Sequence, residues 1–128
     1  MYSIRVVTLV VLLGVGISQG LQCYQCVDGI PDGCDKPALV TCQPKNADFQ
    51  IDNLEFLFDF NKPKPSENYQ CFSYESEIDF GDGKELTRMR GCIYQNYEVC
   101  KWSLKKGLTE KANTRKCSVC NKDGCNSQ

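Results

Sequence analysis

Histidine is absent from this 128-residue chain, and tryptophan occurs once. Without an imidazole the sequence lacks the usual general base near neutral pH, which removes Ser-His and Cys-His nucleophile pairs and most catalytic zinc sites. Neither sign of charge is in excess: 15 basic and 16 acidic side chains leave a net charge of −1. Phosphate backbones require clustered positive charge, so no nucleic acid partner is expected. No Asn-x-Ser/Thr triplet occurs, and N-glycosylation is not expected. Long apolar runs are scarce. The twelve residues from Val6 to Ile17 form one, but they would cover only about 18 Å of a hydrocarbon core about 30 Å thick. Arg5 before this run and Ser18-Gln19-Gly20 after it complete the pattern of a secretory signal peptide over residues 1–20. Residues 21–128 are then a single domain with a modest core, secreted, extracellular and expected to be a soluble monomer. The ending Asn126-Ser127-Gln128 has no apolar tail, so neither a transmembrane span nor a glycolipid anchor is expected.

Cysteine is what the chain has in quantity. Ten occur, at Cys23, Cys26, Cys34, Cys42, Cys71, Cys92, Cys100, Cys117, Cys120 and Cys125. An even number in an oxidising compartment predicts five disulfides and a stapled scaffold. Cys23-x2-Cys26 and Cys117-x2-Cys120 have the look of two halves of a zinc ribbon. Secretion and the six remaining cysteines argue against that, so neither a metal nor any other cofactor is expected. Composition does not choose among the many pairings that ten cysteines allow.

The start Leu21-Gln22-Cys23-Tyr24-Gln25-Cys26 and the ending Cys120-Asn121-Lys122-Asp123-Gly124-Cys125-Asn126 resemble the lymphocyte-antigen-six/urokinase-receptor (LU) family of three-finger domains. The resemblance implies a small, disulfide-rich all-β domain with the snake-toxin-like three-finger fold. It also implies the pairs Cys23–Cys71, Cys26–Cys34, Cys42–Cys92, Cys100–Cys117 and Cys120–Cys125. Asn126 would be the family's chain-end asparagine, tying the C-terminus to the disulfide hub, a structural role. Two departures stand out. Most family members have adjacent cysteines where this chain has Cys117-Ser118-Val119-Cys120, a spacing similar to the insect branch containing sleepless/quiver and boudin. Residues 43–70 form a long insertion before the second finger, where the family has a short connector.

Under this resemblance the first finger runs from Cys23 to Cys42, with a turn at Asp32-Gly33. The second runs from Cys71 to Cys92. There Phe72, Tyr74, Ile78 and Phe80 alternate with Ser73, Glu75, Glu77 and Asp79, and Asp82-Gly83 follows, which predicts a hairpin. A two-residue loop at Asp82-Gly83 would set Glu77 opposite Arg88, Glu75 opposite Arg90 and Ile78 opposite Thr87. The third finger, Cys100 to Cys117, carries Lys101-Trp102-Ser103-Leu104 toward a basic tip at Lys105-Lys106-Gly107. In the insertion, the alternation from Leu54 to Phe60 favours a strand over a short amphipathic helix, and Lys62-Pro63-Lys64-Pro65 predicts an extended linker. Phe49, Phe56, Phe58 and Phe60 need a home, either against the hairpin sheet or as an apolar surface for a partner or lipid.

Charge is uneven along the chain: residues 21–83 hold four lysines and twelve acids, whereas residues 84–128 hold ten basic and four acidic residues. The basic third finger would therefore favour an acidic partner. A stapled frame displaying preordered loops is a binding module and supplies no catalytic group, so the chain is not expected to be an enzyme. The resemblance implies modulation of a membrane receptor or ion channel, or of a cell-adhesion or junction protein, contacted on its extracellular face. The expected contact residues are Phe80, Asp82 and Lys84 at finger two and Trp102, Lys105 and Lys106 at finger three, where aromatics lie beside charge. The alternative is a structural role, or carriage of a lipid or partner, through the Phe-rich insertion.

Overall fold

The computed structural model describes residues 20–30, 33–79, 81–109 and 111–127. Residues 1–19 of the expected signal peptide, Asp32 of the expected first turn and Phe80 lie outside the described residues. The first finger is formed by β1 (Gln22–Val27) and β2 (Ala38–Thr41), which pair antiparallel with Gln22 opposite Thr41. A helix, α1 (Pro44–Leu54), and a two-residue strand, β3 (Phe58–Asp59), occupy the insertion. The second finger is the long hairpin of β4 (Tyr69–Asp79) and β5 (Lys84–Tyr94), and the third contains β6 (Ser103–Leu104) and β7 (Ala112–Cys120). Among the described residues the strands form a five-stranded antiparallel sheet in the order β2-β1-β5-β4-β7 and a two-stranded sheet of β3 with β6.

Five disulfides staple this sheet: Cys23–Cys71, Cys26–Cys34, Cys42–Cys92, Cys100–Cys117 and Cys120–Cys125. Cys23, Cys42, Cys71 and Cys92 are buried together with Cys120 beside them, making the hub from which the fingers leave. Asn126 closes it. Its Oδ1 accepts from the Tyr24 N–H at 2.9 Å, and its Nδ2 donates to the carbonyls of Tyr24 at 2.9 Å and Phe72 at 3.0 Å. One buried amide thereby joins β1 to β4, and the last loop is locked further by the Gly124 N–H donating to the Gln22 carbonyl at 2.8 Å.

Period two in β4 separates two faces. Phe72, Tyr74, Ser76 and Ile78 are buried on one, while Ser73, Glu75 and Glu77 line the other. The hairpin register differs by two residues from that expected of a two-residue loop. Asp79 lies opposite Lys84, Glu75 opposite Arg88, Glu77 opposite Leu86 and Ser73 opposite Arg90. The hub sets this from the base of the finger: Cys71 lies opposite Cys92, the first bonded to Cys23 in β1 and the second to Cys42 just after β2. A shift of two leaves every side chain on its face and keeps opposite charges facing, so the charge pattern did not discriminate between the registers. The longer loop turns at Gly81 and Gly83, whose φ angles of 94° and 129° a residue with a Cβ rarely adopts.

The insertion is helical ahead of its alternating stretch, and within Leu54 to Phe60 a turn leads into the short strand β3. The helix begins before that pattern, at Pro44 in its first turn, and Asn46 accepts the Gln43 N–H at 3.0 Å, which is half of a capping box. Ala47, Gln50, Ile51 and Leu54 then fall on one buried stripe. The stripe lies against β5 and joins Phe58, Phe72, Tyr74, Met89 and Ile93 in the main core. Gln50 is fully buried, and its Nε2 donates to the Arg90 carbonyl at 2.9 Å, directly over Gly91. Only β3 remains of the expected strand. It pairs with β6, so the outgoing limb of finger three makes its strand pairing with the insertion, while its return strand β7 pairs with β4.

Candidate functional site

The tips of fingers two and three lie side by side. Pairing of β4 with β7 continues to Ile78 opposite Ala112, and beyond it the Asp79 N–H donates to the Lys111 carbonyl at 2.9 Å. At tip two the Gly81 N–H donates to Asp79 Oδ1 at 2.9 Å, leaving Asp82 and Lys84 exposed. At tip three the Lys105 N–H donates to the Leu57 carbonyl at 2.8 Å, and the Leu108 N–H donates to the Lys105 carbonyl at 2.9 Å. Lys106 is exposed and Lys105 half-buried. Tip three is held by backbone hydrogen bonds and tip two by the Asp79 carboxylate and the Asp79–Lys111 backbone bond, which lowers the ordering entropy a contact has to overcome.

Trp102 belongs to another surface. Its ring stacks on Phe60 with centroids 3.8 Å apart and meets the edges of Phe58 and Tyr97. Arg115 donates from Nη2 to the Trp102 carbonyl at 2.7 Å and lies over the rings of Phe58 at 5.0 Å and Tyr74 at 5.7 Å. Trp102 is half-buried in this layer, with Asp82 and Lys84 at the tip of the neighbouring finger. The four insertion phenylalanines divide. Phe58 is buried and Phe60 stacked, whereas Phe49 is 39% and Phe56 75% exposed.

Sequence reasoning passed over an ion-pair node between fingers one and two. Asp28 accepts from Arg88 Nε at 2.8 Å, from the Arg88 N–H at 3.0 Å and from the Cys34 N–H at 2.9 Å, and Arg88 Nη2 also reaches Asp35 at 2.9 Å. Burial raises the Asp28 pKa, but the Arg88 side chain, the Cys34 N–H and the nearby positive charge outweigh it, and the net shift is downward. The hydrogen bonds from Arg88 to Asp28 and then to Asp35 push the Arg88 pKa up. The node ties the tip of finger one to the middle of β5. The signal for it was one acid, Asp28, immediately after an apolar strand, which is too common to read alone.

The carboxylates of finger two are ladder partners. Glu75 lies opposite Arg88 on one side and Lys116 on the other. Sulfur atoms converge at two places, Cys23 with Cys42 and Cys92, and Cys71 with Cys120 and Cys125. All six cysteines are oxidised into disulfides and offer no thiolate to a metal.

No family model matches the chain, and no solved structure matches it. The chain is 38% identical over 72 residues to lymphocyte antigen 6C2 of Mus musculus, an alignment covering 56% of this chain and 53% of that protein. The chain thus spans about half the length of the curated relative it matches. Among the described residues no helix is long and apolar enough to cross a membrane. A sheet-rich domain stapled by five disulfides, together with this likeness, supports the lymphocyte-antigen-six/urokinase-receptor family and is consistent with its three-finger fold.

Proposed function

We propose that this chain is a secreted LU-family domain without enzymatic activity, whose finger loops bind the extracellular face of a membrane receptor, ion channel or adhesion or junction protein. The observation that carries this reading is the pair of tips, preordered by hydrogen bonds and joined by the Asp79–Lys111 contact, with Asp82, Lys84 and Lys106 presented to solvent. Rigid loops bearing unshared charge suit recognition, because the partner gains complementary contacts without paying to order the loop. Lys105 extends the basic tip, whereas Trp102, stacked on Phe60, belongs to a separate aromatic layer. Phe80, assigned to the same surface from the sequence, lies outside the described residues. The Cys117-Ser118-Val119-Cys120 spacing favours a place near the insect sleepless/quiver and boudin branch.

The test is capture of cell-surface proteins by the oxidised chain, beside a Lys105→Glu/Lys106→Glu variant. These side chains take no part in the backbone bonds that shape the loop, so the variant folds. A partner recovered by the parent chain and lost or strongly reduced with the variant supports the reading. Equal recovery by both removes finger three from the contact.

A further inference from the structure

The core face of the central sheet is covered by α1, but the opposite face of β5, β4 and β7 is open. A groove of about 530 Å³ runs there, lined among others by Ser73, Glu75, Arg88, Arg90, Lys116 and Ser118. The strand register arranges these side chains in rows. One row reads Arg88, Glu75, Lys116, with Asp28 bonded to Arg88 at its end. Charges alternate along it, so it is neutralised from within. The row beside it reads Cys26, Arg90, Ser73, Ser118 and holds one cation and no acid. The ion pairs among the described residues are Lys62–Glu55, Arg88–Asp28, Arg88–Asp35 and Lys101–Glu98. Arg90 is in none of them, although it is half-buried in mid-sheet, where a guanidinium without a counter-charge is costly.

We propose that this groove is a second binding site, which takes a single carboxylate from an acidic side chain of a partner protein, with Arg90 as the ion-pairing fork and the Ser118 hydroxyl beside it. A guanidinium presents parallel N–H donors that match the two oxygens of a carboxylate. Glu75, one row away on the adjacent strand, sets the charge of the ligand. Strands lie about 4.8 Å apart, so its carboxylate repels a dianion at the Arg90 position more than a monoanion. The open mouth favours a tethered ligand over a free one: a lone ion pair facing water is weak, but a carboxylate delivered by a docked protein acts at high effective concentration. This site lies along the sheet rather than at the finger tips and does not rest on the finger-tip reading.

The experiment is an NMR titration of the 15N-labelled, oxidised chain with two acetylated, amidated peptides, Ser-Glu-Ser-Glu-Ser and Ser-Gln-Ser-Gln-Ser, and with sodium sulfate. The glutamate peptide is expected to shift the Arg90 Nε–H and the Ser118 amide saturably in the millimolar range, at least tenfold more tightly than the glutamine peptide or sulfate. Arg90→Gln abolishes the response and Lys45→Gln, at an exposed position on α1, leaves it unchanged. The proposal is overturned by no response of the Arg90 Nε–H, by equal responses to both peptides, by preference for sulfate, or by shifts that persist in Arg90→Gln. Should Arg90→Gln not give a dispersed spectrum, the parent chain's ranking of the three probes decides on its own.

Discussion

Replacing Gly91 by alanine tests the seat of the inserted helix. A Cβ at this position would lie 2.6 Å from Gln50 Nε2 and 2.8 Å from its Cδ and Cγ, whereas carbon atoms in good contact are about 3.5–4.0 Å apart. Gln50 cannot simply swing away, because it is fully buried and its amide donates to the Arg90 carbonyl. Either the helix lifts from β5 or the glutamine is expelled with loss of that bond. Overpacking of this kind costs about 1–3 kcal/mol and the lost hydrogen bond about 1 kcal/mol. Against this, the unfolded chain loses freedom when glycine becomes alanine, a stabilisation of about 0.4–1 kcal/mol, and Gly91 has no left-handed φ that would deny it. The net expectation is a loss of about 1–3 kcal/mol. Guanidinium unfolding of the oxidised protein, followed by the near-ultraviolet circular dichroism of its aromatic core, measures it. A double-mutant cycle isolates the cause: Gln50→Ala should cost stability in the parent and recover part of the loss in the Gly91→Ala background. A neutral or stabilising Gly91→Ala, or a Gln50→Ala cost that is the same in both backgrounds, refutes the reasoning.

Two further predictions concern titration. Asp28 has its pKa lowered in the fold, so its contribution to stability is present above the ordinary carboxylate value of 3.8 and is lost as pH falls below it. Asp28→Asn should cost about 1.5–3 kcal/mol at pH 7, the usual range for hydrogen bonds to charged groups, and the gap between variant and parent in urea unfolding should narrow toward pH 2; a gap independent of pH counts against the node. Tyr94 is pushed up to about 12 by burial and then by donating its hydroxyl to Asp48 at 3.1 Å. A raised pKa means that the stabilisation is complete below the ordinary tyrosine value of 10.0 and fades as pH rises through about 12. Absorbance at 295 nm should show a late tyrosinate step that Tyr94→Phe removes and Asp48→Asn brings to lower pH; a late step surviving Tyr94→Phe assigns it to another ring.

The second finger was legible because its physics is local. Alternating apolar and charged residues before an Asp-Gly turn give a hairpin whatever else the chain does, and β4 follows that alternation through Ile78. Its register was not legible, since Glu75 finds an arginine opposite it in either pairing and the choice was made by Cys71 and Cys92 at the far end. The helix was obscured by where the pattern was sought. Leu54 to Phe60 does alternate, but the helical stripe of Ala47, Gln50, Ile51 and Leu54 begins earlier and includes a glutamine, which a purely apolar template passes over. Gly91 was the available clue, since a glycine in mid-strand often marks a close approach by another element. At the site, the exposed charges of the tips could be read from composition beside turns. The Asp28–Arg88 bond, between residues 60 apart in the chain, and the isolation of Arg90 could not, because both depend on which strands become neighbours.

The insertion divides the molecule's surfaces between two tasks. A sheet stapled only at its base would leave Phe72, Tyr74, Met89 and Ile93 exposed to water on one face. Ala47, Ile51, Leu54 and Phe58 of the insertion cover them, and Tyr97 and Val99 from the connection after β5, with Leu104 of finger three, complete the same core. Each such side chain contributes about 1.5–3 kcal/mol when fully buried, comparable to a disulfide at about 2–4 kcal/mol, so the cover matters as much as any one staple. Because β3 pairs with β6 and Phe58 meets Trp102, the cover also grips the outgoing limb of finger three. A partner at the proposed tips or at the proposed Arg90 groove would then meet surfaces away from the covered face. Deleting residues 43–70 should on this argument expose the sheet and cause aggregation even with all five disulfides formed. A deletion variant that stays monomeric by light scattering, with the parent's near-ultraviolet spectrum, would show that the sheet does not need its cover.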